Sequence, residues 1–227
     1  SGLNSLAAMG NGWPIEWEWA GGTDAQFRPP GLEAHFPFFT NRSQDSSSFE
    51  DGLMAWIRRS HHGGEDRQSR KAAAHLARDI GQYRLGRGES ELALNSFKHA
   101  VQLRPMDAAV WTNLGTALMA NQQLEAAIEA TEHALRLEAD NNIAAVNLGR
   151  YLIQGERWTP AREHLEALLR NQPSADAYGL LGVVFGNQGQ LDRARTMFER
   201  ALTLNPQQAE ARAGLRMLRS QEATPSK

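Results

Sequence analysis

Residues 108–141 read AAVWTNLGTALMANQQLEAAIEATEHALRLEADN, and the same spacing of landmarks returns in the stretches on either side. Aligning 74–107, 108–141, 142–174 and 175–208 gives units of 34, 34, 33 and 34 residues. A fixed period in this range is the mark of a repeat architecture and settles the fold before any single element is considered. The eighth position of each unit holds Gly81, Gly115, Gly149 and Gly182, and the twentieth holds Ala93, Ala127, Ala161 and Ala194. Small residues at both places imply two helices per unit that approach closely, where a larger side chain would wedge them apart.

The remaining landmarks agree with that plan. The twenty-seventh position carries Ala100, Ala134, Leu168 and Ala201, where the second helix meets the next unit. Pro105, Pro173 and Pro206 close three units where the second helix must stop, and Ala139 stands there in the other. Trp111 and Tyr178 at position four, and Phe97 and Phe198 at position twenty-four, supply bulk for packing. Arg84 stands at position eleven, where the family resemblance named below implies an aromatic, and leads us to expect a less regular first unit at its open end.

These residues resemble the tetratricopeptide repeat (TPR) family over 135 of the 227 residues. The resemblance implies an all-α fold, a right-handed TPR superhelix or α-solenoid, to which composition adds an irregular aromatic-rich arm at the N-terminal end. The expected organisation is an arm over 1–70 containing one short helix, four units over 74–208, a capping helix over 209–220 and a polar tail over 221–227. In the cap, Ala211, Leu215 and Leu218 fall on one side, with Glu210, Arg212, Arg216 and Arg219 around the rest. Nine helices are thus expected over 74–220.

Composition narrows the function classes. The chain has 24 Lys and Arg against 26 Asp and Glu, a formal charge of -2, so no basic excess points to nucleic acid or to an anionic membrane surface. There is no cysteine, which removes disulfides and thiolate chemistry and leaves cytoplasm and periplasm equally open. No apolar run approaches the roughly 18–20 residues that span a bilayer, so direct membrane insertion is not expected. A start at Ser1-Gly2 without methionine suggests a cleaved tag, a mature form or a fragment of a longer or membrane-anchored protein.

No glycine-rich phosphate loop, nucleophile elbow or paired metal-ligand motif is present, so the chain reads as a non-catalytic protein without cofactor or metal. His61, His62, Glu65 and Asp66 have ligand chemistry but surround a Gly-Gly turn, and a solvated linker explains them. His99 and His133 share position twenty-six, which is expected to face solvent on the outer side.

The first helices line the concave face in this family, and the resemblance therefore directs attention to them. Asn113 and Asn147 occupy position six of successive units, where an asparagine commonly bonds the backbone of an extended peptide ligand. Arg78, Gln82, Thr116 and Arg150 at positions five and nine complete a candidate peptide-binding groove. The match to the chaperone-binding carboxylate clamp is partial, since Arg78, Gln82, Ile143 and Asn147 stand where that subgroup has other residues, so the chaperone partner is not carried over.

In the arm, Ile15, Trp17 and Trp19 alternate with Glu16 and Glu18, and prolines and aromatics run from Pro29 to Phe39. Trp13, Trp17, Trp19, Phe36, Phe38 and Phe39 have no repeat to bury them, and are expected to dock on a repeat surface or on a partner, with self-association one outcome. Ser48 to Asp51 reads as a capping box for a short helix bearing Leu53, Met54, Trp56 and Ile57. The leading expectation is a scaffold or adaptor that binds a protein or peptide in its groove. The alternative is an accessory subunit, or a C-terminal module of a larger complex or enzyme, docked through the arm.

Overall fold

A computed structural model of the chain describes residues 67–223. Among them are nine helices and no strand. The first six are α1 (Arg67–Gly86), α2 (Ser90–Leu103), α3 (Ala108–Ala120), α4 (Leu124–Leu137), α5 (Asn142–Gln154) and α6 (Trp158–Asn171). α7 (Ala175–Asn187), α8 (Leu191–Leu204) and α9 (Ala209–Ala223) follow. The described residues form an all-α solenoid of helix pairs α1–α2, α3–α4, α5–α6 and α7–α8 with α9 at the end. α1 starts upstream of Ala74, so residues 67–70, assigned to the arm from composition, are helical. The six arm aromatics, the 48–57 helix and the 61–66 cluster lie outside the described residues.

Each pair is built the same way. The later first helices are started by a side chain: Asp107 accepts from the Ala109 amide at 3.1 Å, Asn141 from Ala144 at 3.0 Å and Ser174 from Ala177 at 3.4 Å. These bonds satisfy amides that have no partner within the helix. The second helices have no such side-chain cap, because the preceding turn does the work. In every unit the fifteenth residue takes a positive φ: Gly88 at 77°, Gln122 at 60°, Glu156 at 55° and Gly189 at 73°. The next amide then bonds back to the eleventh residue's carbonyl, as in Glu89 to Arg84 and Gln123 to Leu118, both at 2.9 Å. This is the left-handed helix stop that glycine favours.

Packing explains the repeated glycines directly. A methyl group at Gly81 would lie 2.7 Å from Phe97 Cζ, at Gly115 2.5 Å from Thr131 Oγ1, and at Gly149 2.6 Å from Leu165 Cδ2. At Gly182 it would strike Phe198. The eighth residue of each first helix is therefore the seat for the twenty-fourth residue of the second. Ala93, Ala127, Ala161 and Ala194 are all fully buried beside these seats. Replacing Gly115 with leucine should lower stability by about 1–3 kcal/mol through overpacking, read as a lower denaturant midpoint. An unchanged midpoint would show that Thr131 and α4 move aside at no cost.

Two expectations need correcting. The first unit is not irregular at Arg84, whose side chain is buried where Leu118, Leu152 and Phe185 stand in the other units. Its Nη1 donates to Ser96 Oγ at 3.0 Å and to the Leu92 carbonyl at 3.3 Å, and Ser96 is itself fully buried. Hydrogen bonds make a buried guanidinium tolerable where an aromatic was expected. The second correction is that neither His99 nor His133 is a solvated outer histidine, as both are half-buried. His133 stacks on Trp111 with ring centroids 4.1 Å apart and planes inclined by 25°, while Trp111 Nε1 donates to the Pro105 carbonyl at 2.7 Å. The large indole reaches across to α4 and covers the histidine, a contact that repeat position alone does not reveal.

At the C-terminal end α9 buries Ala211, Leu215 and Leu218 against the last pair. Phe198 sits between Gly182 and Gly214, so a single ring joins α7, α8 and α9.

Candidate groove on the inner face

Successive first helices touch one another, α1 to α3, α3 to α5, α5 to α7 and α7 to α9, whereas the second helices make no comparable contact with each other. The stack must therefore curve with its first helices on the inside. Residues spaced i, i+4 and i+7 share a helix face, so α3 presents Ala109, Asn113 and Thr116, and α5 presents Ile143, Asn147 and Arg150. The corresponding stripe is Asp176, Leu180 and Val183 on α7 and Glu210, Gly214 and Met217 on α9. Arg150 Nη1 meets Glu210 Oε1 at 2.6 Å across the intervening α7, which identifies this stripe as the inner surface.

The six groove residues expected from sequence differ in how free they are. Asn113 and Asn147 are half-buried, and neither side-chain amide has a hydrogen-bond partner among the described residues. Gln82 is exposed on α1. Thr116 Oγ1 donates to the Thr112 carbonyl at 3.2 Å. The two arginines are occupied: Arg78 pairs with Asp79 at 2.8 Å, and Arg150 with Glu210. Sequence reading missed Glu210 as a groove residue because it lies 60 positions from Arg150. Ile143 and Met217 were also missed as exposed apolar residues of this face, at 70% and 63% exposure.

Electrostatics hold the Arg150–Glu210 contact in place. Burial alone would raise the Glu210 carboxyl, but hydrogen bonds from Arg150 and its own backbone amide, the Arg150 charge and Gln208 outweigh it and hold the group below the usual carboxylate range. At the other end of the groove, His75 Nε2 on α1 accepts a hydrogen bond from Arg104 Nη1 at 3.0 Å. Burial, then Arg78, Arg104 and Lys71, lower its pKa from 6.5, with Asp79 opposing. The unfolded chain then takes up this proton first, so stability is full above the unfolded pKa and declines as pH falls through and below it. Between about pH 7.5 and about pH 5, the melting temperature of His75→Gln should fall less than that of the wild type. An equal fall in both would remove His75 as the cause.

Comparison with known proteins follows the same outline. The family model described as the cytochrome c-type biogenesis protein H TPR domain matches residues 96–212. No curated protein matches the chain. Among solved structures, MamA (41-end) from Desulfovibrio magneticus RS-1 is similar at 22% identity and TM-score 0.54, covering 73% of this chain and 100% of that one. PilF of Pseudomonas aeruginosa is similar at 23% identity and TM-score 0.61, with 68% and 71% covered. YrrB, described as a TPR protein with an unusual peptide-binding site, is similar at 19% identity and TM-score 0.58, with 75% and 84% covered. At these identities the solved structures speak for the fold.

Proposed function

This chain belongs to the family of the cytochrome c-type biogenesis protein H TPR domain, and we propose from there that it is a non-catalytic scaffold holding a polypeptide segment along its inner face. That it is a protein-interaction scaffold of TPR type follows from its family and fold. The finer reading, a peptide in the groove, is carried by one observation. Asn113 and Asn147 present two half-buried primary amides, on adjacent first helices, that bond to nothing else among the described residues.

A primary amide offers the same donor and acceptor as a peptide unit, and these two are left unbonded among the described residues on the inner face. Packed helices lie about 8–10 Å apart, and an extended chain advances roughly 3.3–3.6 Å per residue, so the two amides match peptide units about three residues apart. Such contacts read backbone and tolerate many side chains. The family's description suggests the partner class, a polypeptide handled during the assembly of c-type cytochromes.

The test is a titration of the isotopically labelled chain with peptides tiled across the host's c-type cytochromes and the proteins that mature them. The side-chain NH₂ resonances of Asn113 and Asn147 should shift together on binding. Binding that moves only resonances of the second helices would place the site on the outer face and sink this reading.

A further inference from the structure

Charge is distributed unevenly between the two kinds of helix. α4, α6 and α8 carry four, four and five charged residues, whereas α3 carries none, α5 only Arg150 and α7 only Asp176. The outer layer is solvated, and the inner one is nearly free of charge from α3 to α7, whereas α1 carries several charges, Lys71, Arg78 and Asp79 among them. Of the inner layer's arginines, Arg150 is engaged by Glu210 at 2.6 Å and Arg78 by Asp79 at 2.8 Å. Asp176 is exposed in the first turn of α7 with no ion pair among the described residues.

Apolar surface fills the space that charge leaves. Ile143 lies two turns before Arg150 on α5, and Met217 two turns after Glu210 on α9, both largely exposed. Half-buried Val183 on α7 lies between those two helices. Exposed Ile143 and Met217 and half-buried Val183 thus stand at stripe positions of three successive first helices, on the same face as the unbonded amides.

We infer that this face takes an uncharged, aliphatic segment of a partner polypeptide and rejects acidic ones, with Glu210 setting the rejection by occupying Arg150. The inference rests on the groove reading above and adds the chemistry of the ligand. On the stripe from α3 to α9 an incoming carboxylate finds no open cation: to reach Arg150 it must displace Glu210, exchanging one ion pair for another and leaving Glu210 without its cation. A neutral segment pays neither cost and covers Ile143, Val183 and Met217. Specificity of this kind is a built-in penalty against the wrong partner as well as contact with the right one.

The experiment is a positional-scanning library of end-capped peptides, about ten residues long, presented to the full chain and to Glu210→Gln, Arg150→Gln and Asn113→Ala/Asn147→Ala. The wild type should enrich Leu, Ile, Val and Met and deplete Asp and Glu. Glu210→Gln releases the guanidinium and should raise recovery of acidic peptides on the order of ten-fold. Arg150→Gln leaves Glu210 uncompensated and should deepen the depletion, so the two variants move in opposite directions and a general loss of fold cannot imitate the result. If the wild type recovers acidic and neutral peptides equally, and the double asparagine variant loses both, the groove stands and the charge selection is overturned. If no peptide is recovered, or the asparagine variant recovers all of them, both readings fall.

Discussion

Replacing Phe198 with alanine is expected to lower the unfolding free energy by about 3–5 kcal/mol, the range for removing a buried aromatic ring that leaves a cavity. The ring is 3% exposed and fills a slot whose two walls, Gly182 and Gly214, have no side chains to collapse inward. Relaxation would require α7 and α9 to shift as whole helices, and each is also held by other buried residues, Leu181 and Val184 on one and Leu215 and Leu218 on the other. The cavity therefore remains largely open. Because each unit contacts only its neighbours, the loss should be local. Hydrogen exchange should accelerate in α7 to α9 before it does in α3 to α5. A denaturant midpoint within experimental error of the wild type would mean that Phe198 is not the joint between the last pair and the cap.

The second large effect concerns binding. Asn113→Ala with Asn147→Ala should weaken a groove ligand by roughly 5-fold to 150-fold, since each hydrogen bond contributes about 0.5–1.5 kcal/mol and the two add to about 1–3 kcal/mol. Neither amide bonds to another described residue, so the substitutions remove no internal hydrogen bond. Helicity and melting temperature should stay close to those of the wild type. That separation makes the measurement clean: titration calorimetry with the partner peptide reads affinity, and circular dichroism verifies the fold. Full affinity in the double variant would move the site away from the inner face.

What the sequence determined by itself was the repeat and its small-residue seats. Glycine at position eight and alanine at position twenty recur because every pair has the same closest approach, and one local requirement repeated four times leaves a periodic trace. Unit ends were legible for the same reason, since Pro105, Pro173 and Pro206 mark the turns between units, whereas the caps Asp107, Asn141 and Ser174 emerged only in the structure. The candidate amides at Asn113 and Asn147 were visible through their repeat position.

Tertiary structure alone decided the contacts that join residues far apart or that break the repeat. Thr131 over Gly115, where other units seat Phe97, Leu165 or Phe198, shows that the seat selects for fit rather than for aromatic character. Arg84 looked like a defect because sequence could not show that Ser96 and the Leu92 carbonyl would receive its guanidinium. His133 looked exposed because the reach of Trp111 is set by a rotamer and a hydrogen bond to Pro105, not by repeat position. Arg150 looked available because its partner Glu210 is distant in sequence and becomes adjacent only when the stack curves and carries α9 round to face α5. Periodicity records what each unit demands of itself, whereas curvature is the sum of many small rotations between units, and the charge on the inner face is known only after that sum has been taken.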